Sequence, residues 1–378
     1  MRCRICETPL GKPDYSADAP SLTDCGRIIN IKTEIYFCNA CGLSQSPNIP
    51  DIINFYAHEY KISLQAPDHD QLVSLKDGRS LYRTDLQAQL VLKLAPPIKG
   101  GRILDFGCGK ATSLQKITRV RPDVKPFVFD VSDDYRESWA DWVPIENCAT
   151  HSTPESWSGN FDLVTCHFVL EHVVNITDLL AGIRGLLSPQ GLLFLSVPNA
   201  LANPGDLLVV DHLTHFSQET LANALSCSGL ELLCMDTTSF PGALLSVSRS
   251  GIEKTSKRVV QHHTETLAMR KFALDWASIR TRVREAARRT SSAPAAIYGA
   301  GFYGSFIRSI LGPDVNLRYF VDSNPHLQGT MHMGLPVIAP ASMSEDICVV
   351  YIGLNPIKAR SIIANHPSIS ARTIVWLD

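Results

Sequence analysis

The stretch GRILDFGCGKATSL at residues 101–114 constrains the fold more than any other part of the chain. An apolar run from Arg102 to Asp105 leads into a turn with glycines at 107 and 109, and a helical pattern follows. That order, strand then glycine turn then helix, opens a βαβ unit. The glycines let backbone approach a ligand closely, and the helix start offers unbonded N–H groups. A second apolar run, PFVFDVS, ends in Asp130, twenty-one residues past Gly109. An acid at that place can accept both hydroxyls of a ribose. GCGKA has no third glycine where a dinucleotide fingerprint uses one for close helix–strand packing.

The 378 residues suffice for two or three domains. The net charge of −2 gives no global pull toward nucleic acid or an anionic membrane. The start, MRCRICETPL, lacks the apolar core of a signal peptide, and runs such as LLFLSV at 192–197 are too short to span a bilayer. The expectation is a cytoplasmic protein without nucleic-acid or membrane partners, its oligomeric state left open.

The expected fold class is α/β, organised in four parts. Residues 1–62 hold a Cys-rich zinc ribbon and a polar bridge. Residues 63–250 alternate short apolar runs with helical patterns and form a Rossmann-like core. Residues 251–292 carry apolar residues at helical spacing and read as one or two connecting helices. Residues 293–378 begin a second alternating pattern, with AAIYGAG, LRYFVDS, ICVVYIGL and RTIVWL as strands of a small Rossmann-like domain.

Eleven cysteines without an export signal argue against a disulfide framework. Cys3 and Cys6 form one C-x-x-C pair, Cys38 and Cys41 another. Two such turns complete a tetrahedral thiolate shell suited to Zn²⁺. A closed four-cysteine shell leaves no position for substrate, so the expected role is structural. The competing reading is four unrelated buried cysteines.

The stretch IYGAGFYG at 297–304 is a second glycine turn after a strand and before a helix, with Asp322 ending the next strand. Gly299, Gly301, Gly304 and Asp322 fit a half-Rossmann nucleotide site. The alternative is a structural cap whose glycines serve packing alone.

The segments DFGCG, FDVS, FDLVTCHFVLEHV (161–173) and LLSPQGLLFLSVPN (186–199) resemble class I S-adenosylmethionine-dependent methyltransferases over about 150 residues. The resemblance implies that Asp105, Gly107 and Gly109, with Cys108 between them, line the cofactor. It implies that Asp130 holds the ribose and that His167 sits near the methionine end. Lys110 departs from the small residue the family often has there. The whole order of parts, with YFCNACGLSQ (36–45) and SFPGALLSV (239–247), resembles the zinc-containing C-methyltransferases of nucleotide-linked 4-keto-6-deoxyhexoses. That resemblance implies a nucleotide-sugar substrate, held in part by the C-terminal unit.

Residues 209–217 read VVDHLTHFS. In that sugar-methylating family the corresponding stretch carries Tyr-x-Glu-His or Tyr-His-Glu-His. His212 aligns with the family histidine, Asp211 replaces glutamate, and no tyrosine precedes it. His172 matches another histidine that the family places near substrate. C-methylation beside a ketone needs a carbon-bound proton removed, and a histidine is a suitable base. Asp211 is expected to orient its ring. A donor must also stabilise the enolate oxygen; with tyrosine missing, His172 and His215 are the candidates. Three alternatives stay open: O- or N-methylation of a sugar or small metabolite, a noncatalytic cofactor-binding protein, and a purely structural His212. Ser217, with Thr220 three residues on, reads as a helix N-cap.

Overall fold

The structure is a computed structural model that describes residues 1–51, 70–76, 79–251, 264–364 and 366–378. Residues 52–69 and 77–78 of the expected bridge and core, and 252–263 of the expected connector, lie outside the described residues. The chain forms two compact units that do not follow chain order. The first comprises Met1–Gly11, Phe37–Asn199 and Leu213–Thr266; the second comprises Lys12–Tyr36, Ala200–His212 and Leu267–Asp378.

The first unit is built on seven strands: β1 (Arg102–Phe106), β2 (Lys125–Asp130), β3 (Cys148–Thr150), β4 (Phe161–His167), β5 (Leu187–Pro198), β6 (Leu230–Asp236) and β7 (Ala243–Ser250). Their order in the sheet is β3-β2-β1-β4-β5-β7-β6. The first five pair in parallel, while β7 runs antiparallel to both β5 and β6. Strand alternation assigns each side chain to a face. Ile103, Leu163, Phe194 and Val247 share a core with Leu86, Leu90 and Val91 of helix α1 (Arg83–Leu94) and Leu114 and Ile117 of helix α2 (Thr112–Val120). Their neighbours Leu104, Val164, Leu193 and Leu195 pack with Leu180 and Ile183 of α3 (Ile176–Leu186) and Leu221 and Leu225 of α4 (Gln218–Cys227). A sheet covered on both faces needs apolar residues at successive positions, which is why these strands read as continuous apolar runs. Each such side chain contributes roughly 1.5–3 kcal/mol of transfer free energy. Helix α4 starts as its sequence indicates: the Ser217 side chain accepts from the Thr220 N–H.

The second unit holds a six-stranded sheet: β8 (Ala295–Tyr298), β9 (Leu317–Val321), β10 (Met331–His332), β11 (Leu335–Ile338), β12 (Val349–Ile352) and β13 (Thr373–Val375). The order is β10-β11-β9-β8-β12-β13, parallel except at β10. The four strands expected from the sequence are there, and the hairpin β10–β11 extends the sheet at one edge. Helix α5 (Thr264–Arg289) is one continuous helix, with Trp276, Ile279 and Val283 buried on its apolar stripe. Trp276 meets Phe306 of helix α6 (Phe302–Ile310) edge-on, with ring centroids 5.3 Å apart. Helix α7 (Pro356–Ile363) follows β12. Among the described residues, no helix is long and apolar enough to cross a membrane.

Candidate active site

The glycine turn after β1 is fixed by its backbone. Gly107 has φ +70°, and a Cβ there would stand 2.5 Å from a methyl carbon of Val169. Its N–H and that of Cys108 both donate to the Phe129 carbonyl, at 2.8 and 3.0 Å. Asp130, at the end of β2, accepts from the Gly109 N–H at 2.8 Å and from the Ser132 N–H at 3.0 Å. Trp139 Nε1 donates to the Gly109 carbonyl at 2.7 Å. In the dinucleotide spacing the third glycine would fall at Thr112, the first residue of α2. Just before it, Ala111 caps α2 in the left-handed region, with φ +53°, a conformation that costs an L-residue about 1–2 kcal/mol.

Two carboxylates thus stand at adjacent strand ends. Asp105 is 3% exposed and accepts a hydrogen bond from Thr165 Oγ1 at 2.9 Å. Burial pushes its carboxyl up to about 7. Burial also raises the Asp130 carboxyl, against the hydrogen bonds from Gly109 and Ser132. The Cys108 thiol is raised by burial and by the nearby carboxylates of Asp105 and Asp130, which keeps it protonated. A cationic, hydroxyl-bearing ligand fits this pair: the cation relieves the buried acid, and ribose hydroxyls suit the second carboxylate.

His167 ends β4. Its Nδ1 lies 2.9 Å from Ser196 Oγ, and its Nε2 is buried without a hydrogen-bond partner among the described residues. Burial, then the Arg83 guanidinium, lower its pKa to about 3, so the ring is neutral and too weak to act as a base. Arg83 itself stacks 4.0 Å above the Phe168 ring.

The histidines expected to do chemistry divide between the units. In the first unit, His172 ends the 3₁₀ turn Leu170–His172 and is half-buried. His215 is fully buried on the short strand Thr214–His215, which pairs with Ser44–Gln45. Its Nε2 lies 3.0 Å from Ser46 Oγ, which makes it a packing residue rather than a donor open to substrate.

His212 belongs to the second unit and is 7% exposed. Its Nδ1 is 2.6 Å from Asp206 Oδ1. The orienting carboxylate expected at Asp211 is therefore found at Asp206, six residues earlier. Asp211 is fully buried and accepts from the Asp24 N–H at 2.9 Å. Burial and the neighbouring Asp24 carboxyl raise its pKa well above the usual range. The physical reason is local backbone geometry: the 3₁₀ turn Pro204–Leu208 brings the Asp206 carboxylate within 2.6 Å of the ring, while Asp211 accepts from the Asp24 backbone.

The second glycine turn repeats the first. Asp322 accepts from the Ala300 N–H at 2.7 Å and from the Asn324 N–H at 2.8 Å. The three glycines differ in kind. A Cβ on Gly299 would meet the Gly353 carbonyl at 2.3 Å, and one on Gly304 would meet the Gly299 carbonyl at 1.9 Å, while Gly301 has nothing within 4 Å. Gly299 and Gly304 allow close packing; Gly301, at the N-cap of α6, leaves space for a ligand.

The four cysteines at the N-terminus come together. Cys3 and Cys41 sulfurs are 3.4 Å apart, as are those of Cys6 and Cys38, and all four lie within 4.8 Å of one another. Tetrahedral Zn–S bonds of about 2.3 Å place sulfurs about 3.8 Å apart, so this donor set fits a zinc ion.

Strand order β3-β2-β1-β4-β5-β7-β6, a glycine turn after β1 and an acid after β2 define a Rossmann-like α/β core of methyltransferase type. A family model described as "Methyltransferase domain" matches residues 79–235. This segment is a class I S-adenosylmethionine-dependent methyltransferase domain. The chain is 28% identical over 138 residues to the ubiquinone biosynthesis O-methyltransferase of Bordetella avium (strain 197N), covering 32% of this chain and 52% of that protein. It is 25% identical over 215 residues to the C-methyltransferase NovU of Streptomyces niveus, covering 52% of this chain and 51% of that protein. The chain spans about half the length of the curated relatives it matches. Similar solved structures include an S-adenosylmethionine-dependent methyltransferase from Mesorhizobium loti, with TM-score 0.36 and 18% identity over 43% of this chain and 97% of that one. Another is the CurJ carbon methyltransferase, with TM-score 0.34 and 16% identity over 44% of this chain and 54% of that one.

The raised Asp105 carboxyl predicts a stability slope. Its folded pKa of about 7 lies above an unfolded value of about 3.9. Its contribution is therefore complete below the unfolded value and is lost as pH rises through the folded one. Thermal unfolding of ligand-free protein between pH 5 and pH 8 should show Asp105→Asn gaining stability relative to wild type as pH rises, by a few kcal/mol, while losing affinity for S-adenosylmethionine. Parallel curves for the two proteins would contradict this reading.

Proposed function

We propose that the chain methylates a carbon of a nucleotide-linked 4-keto-6-deoxyhexose, with S-adenosylmethionine as donor. The observation that carries this reading is the second glycine turn, with Gly301 open and Asp322 bonded to the turn as Asp130 is in the methyltransferase domain. Such a second nucleotide-type turn favours a nucleotide-linked substrate over a small free metabolite. The similarity to NovU, named a C-methyltransferase, supports carbon as the acceptor.

The cofactor supplies an electrophilic methyl group when bound. Asp105, Gly107, Cys108, Gly109 and Asp130 would hold it, with His167 as a neutral wall at the strand end. Gly301 and Asp322 would hold the nucleotide. His212 takes the proton from the carbon beside the ketone: the C–H bond breaks, its proton goes to the imidazole, and the electron pair moves to the enolate oxygen. Such a base contributes typically 10²–10⁴-fold. His172 is the remaining candidate to donate to the enolate oxygen, because His215 is bonded to Ser46 inside the fold. Cys3, Cys6, Cys38 and Cys41 would hold a structural zinc ion.

O-methylation is the second reading, favoured by the similarity to ubiquinone biosynthesis O-methyltransferases. There His212 would deprotonate a hydroxyl.

Proton removal can be followed without methyl transfer. In D₂O with S-adenosylhomocysteine present, wild type should exchange the proton beside the ketone of a 4-keto-6-deoxyhexose nucleotide, and His212→Asn should slow this at least 100-fold. Equal exchange rates would remove His212 from the role. For the zinc ion, metal analysis should give one zinc per chain, and chelation should lower the melting temperature. Metal-free protein with an unchanged melting temperature would contradict a structural zinc.

A further inference from the structure

The glycine turn of the second unit does more than leave room for a ligand. Tyr303, between Gly301 and Gly304, reaches the turn that carries Asp206. Its hydroxyl accepts from the Gly205 N–H at 3.0 Å and donates to Asn203 Oδ1 at 2.5 Å. A Cβ on Gly205 would lie 2.7 Å from the Tyr303 ring, so the approach requires glycine there. Two further side chains hold the same turn: Trp276 Nε1 donates to the Pro204 carbonyl at 2.9 Å, and Asn355 Nδ2 donates to the Ala202 carbonyl at 2.9 Å. Helices α5 and α6 and the N-cap of α7 thus fix residues 202–205, and Asp206 follows directly. Its backbone is tied in turn, with the Asp206 N–H donating to the Asn203 carbonyl at 2.9 Å.

A carboxylate that is 2% exposed needs a charged or strongly polar donor. Asp206 has one in His212 Nδ1 at 2.6 Å, the short distance of a charge-assisted hydrogen bond. Between an imidazole and an ionised carboxylate the proton resides on nitrogen. In the neutral ring the other nitrogen, Nε2, then carries the lone pair.

We propose that Asp206 is a positioning residue: held by the Tyr303–Trp276–Asn355 clamp, it locks His212 in the tautomer with hydrogen on Nδ1 and the basic lone pair on Nε2. The inference rests on the reading of His212 as the base. It also gives the second glycine turn a chemical task, since the residue that clamps the Asp206 turn sits two positions after the open Gly301. When His212 takes up a proton on Nε2, the Asp206 carboxylate stabilises the resulting imidazolium. An amide at position 206 keeps the shape and removes that charge, and its N–H₂ can donate to Nδ1 and force the opposite tautomer.

The test uses the full chain labelled with ¹⁵N-histidine, the His212 signals being assigned by their loss in His212→Gln. Wild type should show His212 protonated on Nδ1 and unprotonated on Nε2. Asp206→Asn should shift His212 toward the Nε2–H tautomer and slow proton exchange at the substrate carbon at least 100-fold, with S-adenosylmethionine affinity unchanged. Asp206→Glu should restore the tautomer in part. Wild-type His212 protonated on Nε2 overturns the inference, a result that needs no variant to fold. So does an Asp206→Asn protein with the wild-type tautomer and rate. The Nδ1–H tautomer in a wild type that exchanges no substrate proton supports the positioning and overturns the base role instead.

Discussion

A carboxylate at the end of the second strand, accepting an N–H from the glycine turn of the first, is the contact on which both candidate binding sites depend. Asp130 holds Gly109 in this way at 2.8 Å, and Asp322 holds Ala300 at 2.7 Å. Each acid uses its other oxygen on the backbone two residues ahead, Ser132 in one case and Asn324 in the other. The turn therefore keeps its shape before any ligand arrives. Preorganisation of this kind removes the ordering cost from the binding step.

The two turns then diverge in what they are connected to. The first leads to Asp105 and His167, whose environments suppress charge: one acid is raised, one histidine is kept neutral. Such a site favours a ligand that brings its own positive charge. The second leads through Tyr303 to Asp206 and His212, where a buried carboxylate demands a proton on the ring beside it. One turn is thus suited to a cationic donor and the other is tied to a candidate base.

Much of the fold was legible because it follows from short-range chemistry. The strands of the first sheet are apolar at successive positions since both faces are covered, and the four matched cysteines converge as their spacing indicates. The hairpin Met331–Ile338 was not legible, because its strands are two and four residues long and lie at a sheet edge. Nor was the grouping of Lys12–Tyr36 and Ala200–His212 with the C-terminal residues, which depends on long-range packing that periodicity does not encode. In the candidate site, His212 and the strand-end acids stood out by motif. Asp206 did not, since it sits six residues before the histidine in a Pro-Gly turn, and the adjacent Asp211 offered a simpler partner.

The central claim is methyl transfer to sugar carbon, and the fate of the methyl group tests it most directly. Purified protein would be given ¹³C-methyl-labelled S-adenosylmethionine and a 4-keto-6-deoxyhexose nucleotide, and the product read by carbon NMR. The account predicts a labelled methyl bonded to a ring carbon beside the former ketone. A labelled methyl on oxygen, or no transfer while S-adenosylmethionine still binds, would contradict it.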